Sequence, residues 1–221
     1  MKVWPLIAHG DLDMPIDGQP RFIPVEEIRS KAAQFLAKQP SAGDMPVPIE
    51  QIIEFDLDIE IRPAAGLEAK LGVGGWMTPD METIFVDLQT FVSKPCRYRF
   101  TLAHEIAHPT LHAAEFSRVL GPCKTLGDYE RTLSSTDNTW SDRREWQANT
   151  FAGLILVPPE ALAKRWLITG ADPSVANSPN VSGVIHDMAQ YFYVSDEVIR
   201  IRLANDGLWN GKLGGLTIAG S

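Results

Sequence analysis

The chain has 221 residues, 44% of them apolar and 22% charged, which is the balance of a globular protein with a sizeable core. A net charge of −8 argues against nonspecific binding to nucleic acid or to an anionic membrane. The two cysteines, Cys96 and Cys123, have no C-x-x-C spacing, so they indicate neither a disulfide framework nor a cysteine metal site, and thiols in a reducing cytoplasm are favoured over a single disulfide between them.

The first residues, MKVWPLIAHGDLD, carry one lysine and no sustained apolar run, so no secretory signal is read there. With Pro5, Gly10, Pro15 and Gly18, residues 1–22 read as an extended arm. Pro24 opens a helix, VEEIRSKAAQFLAKQ, with Val25, Ile28, Ala32, Phe35 and Leu36 on one face and acids at its start, as the helix dipole prefers. Pro40 to Pro48 reads as a linker and Ile49 to Phe55 as a short helix. Leu57, Ile59 and Ile61 alternate with charged residues, which predicts a half-buried strand. Val73 to Met77 and Thr83 to Val86 flank Thr78-Pro79-Asp80-Met81 and read as a hairpin. Such a hairpin can bind an extended peptide along its edge or simply cover a neighbouring helix. Ser93 to Pro95 then lead into the next helix.

That helix carries FTLAHEIAHPTLH, Phe100 to His112, with three of the chain's five histidines. His104 and His108 are four apart and so share a helix face one turn apart, where two imidazoles can grip one zinc ion. Glu105 stands beside them, placed to take a proton from a water that the metal activates; this is the H-E-x-x-H pattern of zinc peptidases. Pro109 removes a backbone hydrogen bond, and a bend immediately after His108 is the expectation. From Ala113 to Thr139 the pattern breaks into a long loop. Helical signal resumes at Asp142 and runs through RREWQANTFAGLILV to Pro158-Pro159. Pro159 to Leu167 reads as a short helix, Gly170 to Pro179 as a linker, and Val181 to Phe192 with Ser195 to Asn205 as a helix pair closed by Gly207.

A catalytic zinc takes three protein ligands and keeps one position open. His112 lies eight residues beyond His104, about 12 Å along an unbroken helix, too far to share the ion unless the helix breaks near Pro109. Leu111 and Ala114 stand where the longer three-histidine pattern needs a glycine and a histidine, which excludes that class. Glu145 is the better candidate, with Asn149 one turn on to orient a histidine by hydrogen bonding. Asp142-x-x-Glu145 also fits a capping box, in which Glu145 would reach back to the helix start instead.

HEIAHPTLH followed by EWQANTFAGLILVPPE resembles the ImmA/IrrE family of zinc peptidases, whose signature is H-E-x-x-H-x-x-x-H, then E-x-x-A-N-x-F-A and a run ending in proline. The resemblance covers about Val47 to Pro159. It implies one zinc held by His104, His108 and Glu145, with Glu105 as catalytic base. The implied fold is α+β, a minimal zincin: a small twisted sheet packed against the H-E-x-x-H helix and a second ligand-bearing helix. On that reading residues 23–168 form the peptidase domain and 181–207 a helical subdomain packed on it. Family members act in the cytoplasm of bacteria or of their mobile elements. They cleave a helix-turn-helix repressor, here expected to be encoded separately, and so release a stress or transfer programme.

An oxyanion donor is also expected. His112, His186, Tyr191 and Tyr193 are the candidates, set against the ordinary role of a lone histidine or tyrosine as a satisfied core residue. The C-terminal helix pair has the rhythm of a helix-turn-helix. Arg200 and Arg202 are nevertheless set against Asp187, Asp196, Glu197 and Asp206, so packing or partner docking is favoured over direct DNA binding. Two functions stand: a narrow-specificity zinc endopeptidase, or a noncatalytic partner-binding regulator that keeps the fold. An intact His104, Glu105, His108 and Glu145 set favours the first.

Overall fold

The computed structural model describes residues 22–113, 127–128, 131, 138–169 and 181–209. Residues 1–21 of the arm expected over 1–22, the linker over 170–179 and most of the loop expected over 113–139 lie outside them. Within that loop Gly127, Asp128 and Arg131 are helical. The chain divides into two compact units between Leu156 and Val157.

The first unit opens with α1 (Val25–Ala37), which buries Ile28, Ala32 and Phe35 as its periodicity predicts. The stretch from Pro40 is more than a linker: a 3-10 turn (Pro40–Gly43) is pinned by Asp56, which accepts from the Ser41 backbone N–H and hydroxyl at 3.1 Å each. α2 (Ile49–Gln51) widens into a π-turn (Ile52–Asp56) with Ile49, Ile52 and Ile53 fully buried. The predicted strand starts later than the alternation suggested. Leu57 still closes the π-turn, its N–H bonding Ile52 O at 2.9 Å, and Asp58 takes a left-handed φ of 55°, which interrupts an extended run. β1 is Glu60–Ala64 and is largely solvent-facing, with Pro63 tolerated because this is an edge strand.

A short α3 (Leu67–Leu71) follows, then β2 (Gly75–Met77) and β3 (Thr83–Asp87). β2 and β3 form the predicted hairpin, with Trp76 opposite Phe85 and their rings stacked at 5.5 Å. The order is β1-β3-β2, with β1 parallel to β3, so the sheet is small and mixed. Asp87 ends β3 and caps two helices at once. One oxygen accepts from Gln89 and Thr90 N–H at the start of α4 (Leu88–Ser93), and the other from Glu68 N–H in α3. α3 and α4 were not foreseen; an aspartate directly before Leu88 was the available signal for α4.

α5 (Pro95–Leu111) starts with proline at its first position and buries Leu102, Ala103, Ile106 and Ala107. It does not break at Pro109: the helix continues to Leu111, and His112 N–H bonds His108 O at 2.8 Å. α6 (Asn138–Leu156) packs along α5 and α1, with Phe151 edge-on to Phe35 at 5.8 Å. Because α6 begins at Asn138, Asp142 lies inside the helix and the capping-box alternative for Glu145 falls away.

The second unit contains α7 (Pro159–Ile168), α8 (Val181–Phe192) and α9 (Asp196–Asn205). α8 and α9 pack together through a turn in which Tyr193 adopts φ 54° and Val194 N–H bonds Ala189 O at 3.0 Å. Arg202 is buried, with Nη2 2.8 Å from Asp206, and so is not offered to solvent. Among the described residues no helix is long and apolar enough to cross a membrane. Together the two units make an α+β protein that is mostly helical.

Candidate metal centre

The long contact between α5 and α6 sets the candidate centre. Apolar residues on α5 point into the core, and the adjoining face presents His104 and His108, both mostly shielded from solvent. Their Nε2 atoms lie 3.1 Å apart. α6 brings Glu145 against them, with one carboxylate oxygen 3.0 Å from His104 Nε2 and the other 3.7 Å from His108 Nε2. One ligand atom from each of the three residues lies within 4.8 Å of the others. Two imidazole nitrogens and one carboxylate oxygen, converging at that separation, suit a tetrahedral ion with an open fourth position. The donor set therefore fits a divalent metal.

Asn149, one turn beyond Glu145, places Oδ1 2.9 Å from His104 Nδ1. The amide oxygen accepts, so Nδ1 keeps a proton, and once Nε2 gives up the proton it shares with Glu145 its lone pair is the one an ion would take. Burial pulls the His104 pKa down, but the Glu145 hydrogen bond and the nearby carboxylates outweigh it and hold it above the ordinary imidazole value. His108 goes the other way, to about 3, through burial and the neighbouring His104 charge. Glu145 is half-exposed, and against its desolvation the His104 hydrogen bond keeps its carboxyl below the usual carboxylate range.

Glu105 faces β2. Its carboxylate is buried and accepts the Met77 backbone N–H at 3.1 Å. Desolvation is the largest influence on it, only partly offset by His104, and it raises the carboxyl to about 7. All three residues of β2 are buried. Of the two roles foreseen for the hairpin, covering the helix is the one the described residues display.

His112 is not brought into this group. It is buried, with Nε2 2.6 Å from Gln147 Oε1, and burial lowers its pKa to about 4. His186 and Tyr191 belong to the second unit. His186 sits between Asp196 (3.2 Å) and Gln190 (3.0 Å), and the Tyr191 ring lies 4.6 Å from the Arg165 guanidinium. Tyr193, in the turn after α8, is half-exposed. Sequence reasoning passed over Gln147 and the Met77 backbone. The first carries no motif. The Gly74-Gly75 pair ahead of Met77 is a signal for close backbone approach.

Helix-borne histidines, a carboxylate from the next helix and a buried glutamate beside them define a metallopeptidase-type centre. The family comparison agrees: residues 92–204, just over half the chain, match the model of the Peptidase M78 family, the IrrE N-terminal-like domain, and the chain belongs to that family. The matched region starts later than the resemblance in the sequence and extends through the C-terminal helix pair. No curated protein matches the chain. Among solved structures, a Mycobacterium tuberculosis transcriptional regulator is similar at 13% identity with a TM-score of 0.47, over 82% of this chain and 52% of the other. The chain thus spans about half the length of that protein.

Proposed function

We propose that the protein is a zinc-dependent endopeptidase of narrow specificity with a minimal zincin fold, acting in the cytoplasm on a separately encoded helix-turn-helix repressor. The observation that carries this reading is the convergence of His104, His108 and Glu145 beside a buried Glu105. When bound, zinc supplies Lewis acidity toward water and toward a peptide carbonyl. Glu145 and the two imidazoles hold the ion, and Asn149 keeps the His104 tautomer that can do so. Glu105 accepts a proton at its carboxylate and returns it to the departing amide nitrogen. Its pKa near 7 in the metal-free protein suits a group that must both take and give a proton near neutrality. The hydrolysis is balanced by one water, whose oxygen ends on the new carboxylate and whose protons end on the products.

The test has two parts. Elemental analysis of protein purified without a chelating tag is expected to find about one zinc per chain. Incubation with a candidate helix-turn-helix repressor from a neighbouring gene is then expected to give a zinc-dependent fragment. Glu105→Gln should keep the zinc and slow cleavage by about 10²–10⁴-fold. A fully active Glu105→Gln would remove Glu105 from the base role. Protein that stays empty when zinc is offered would end the peptidase reading and leave noncatalytic partner binding in its place.

A further inference from the structure

In an antiparallel pair the residues alternate between exchanging backbone hydrogen bonds with the partner strand and turning those groups outward. Thr78 N–H bonds Thr83 O and Asp87 N–H bonds Gly74 O, both at 2.9 Å. With Trp76 opposite Phe85, this leaves the N–H groups of Gly75 and Met77 pointing away from β3, along the outer edge of the sheet. At Met77 that outward N–H is taken by Glu105. The strand can approach α5 this closely only because residue 75 has no side chain. A Cβ there would lie 2.6 Å from Thr101 Cγ2, 3.2 Å from Glu105 Cγ and 3.1 Å from Glu105 Oε1. The first of these is closer than packed carbon atoms tolerate. At Gly74 the nearest atom would be Thr101 Oγ1 at 3.3 Å, so the tight approach centres on Gly75.

We infer that Gly75 is a positioning residue for Glu105: by letting β2 lie against α5, it allows the Met77 backbone N–H to hold one carboxylate oxygen and fix the orientation of the base. The inference rests on the reading of Glu105 as base for its purpose, but not for its geometry. A backbone donor is well suited to this task. It cannot rotate away as a side chain can, and a hydrogen bond to a carboxylate is stronger than one between neutral groups. The same contact closes off the Met77 amide, which an edge strand would otherwise present to solvent.

Amide hydrogen exchange, resolved residue by residue by NMR on the metal-free full chain, tests this without any substrate. Met77 is expected to exchange as slowly as the paired amide of Thr78. Glu105→Ala should speed Met77 by roughly 10- to 100-fold and leave Thr78 and Asp87 unchanged. Gly75→Ala should produce the same selective gain while zinc binding stays at about one ion per chain, since no ligand is touched. If Gly75→Ala does not fold, Gly75→Ala in a Thr101→Ser background removes the shortest contact and keeps the two to Glu105. A selective, smaller acceleration is then expected. The inference is overturned if wild-type Met77 exchanges freely. It is also overturned if a folded Gly75 variant protects Met77 as the wild type does, or loosens Met77 and the β3 amides equally. A failure to find proteolysis would bear on the peptidase reading and leave this outcome standing.

Discussion

His104 with Glu145, and His186 with Asp196, are nearly the same interaction when each is taken as one pair. The closest nitrogen–oxygen distances are 3.0 Å and 3.2 Å. Their surroundings differ in every respect that matters to a metal. His104 is mostly shielded, has a second imidazole one helical turn away, and has its far nitrogen held by Asn149. His186 is 59% exposed and its second nitrogen meets the amide of Gln190, and among the described residues no third ligand converges on it. A histidine–carboxylate contact on a surface is screened by water and is worth little. The same contact becomes a binding site when the fold has already ordered three donors around one point, because the ion then need not order them itself.

The strongest way to break this comparison is to delete one histidine from each region. His108→Ala is expected to take bound zinc from about one per chain to none, whereas His186→Ala should leave it at one; elemental analysis reads both. Loss of zinc from the second variant would show that the exposed pair belongs to the metal site after all. Next in size is Asn149→Ala, which frees the His104 ring and is expected to weaken zinc binding by about 10–100-fold, measured by competition with a chelator. Asn149→Asp keeps an acceptor for Nδ1–H and should retain most of the affinity.

A smaller and graded effect comes from pH. His104 in the metal-free protein has a raised pKa, so its pairing with Glu145 contributes stability fully below the ordinary imidazole pKa and loses it as pH rises through the folded value. Metal binding runs in the opposite sense, because the ion must displace that proton. His108 is already neutral across this range, since its pKa is held to about 3. Zinc affinity should therefore rise by up to about tenfold per pH unit on the acidic side of the His104 pKa and level off above it. Titrations that release no proton at mildly acidic pH would contradict the assignment.

The smallest effect concerns a buried carboxylate with no histidine at all. Asp87 is shielded, yet three backbone N–H groups keep its carboxyl below the usual value despite its burial. Its stabilisation is present at neutral pH and is lost as pH falls through the depressed folded pKa. Asp87→Ala removes the cap shared by α3 and α4 and should cost about 1–2 kcal/mol in urea unfolding at neutral pH, with zinc stoichiometry unchanged. Asp87→Asn keeps one acceptor but turns an amide toward Glu68 N–H or toward the α4 N–H groups, so it should recover only part of the loss.

How much of this was legible beforehand follows from the range of the interactions involved. His104, Glu105 and His108 lie within five residues on one helix, so helical periodicity alone places their side chains together. The hairpin was visible for the same reason, because its turn chemistry is local. Where reading failed, a local pattern was overruled by a single backbone conformation or by a partner distant in sequence. The left-handed turn at Asp58 cut the apparent strand before Glu60. α4 is capped by Asp87, one residue beyond the predicted strand, where no helix was read.

By itself, then, the sequence determined the metal-gripping pair, the glutamate beside it and the amphipathic helices that carry them, because residues a few positions apart are related by fixed helical geometry. Only the tertiary structure decided that Glu145 meets both histidines, that His112 turns to Gln147 instead, and that β2 holds Glu105 through Met77. Those contacts join residues 28 to 41 positions apart. No local periodicity relates such residues, and only the packing of α5 between β2 and α6 brings them within reach.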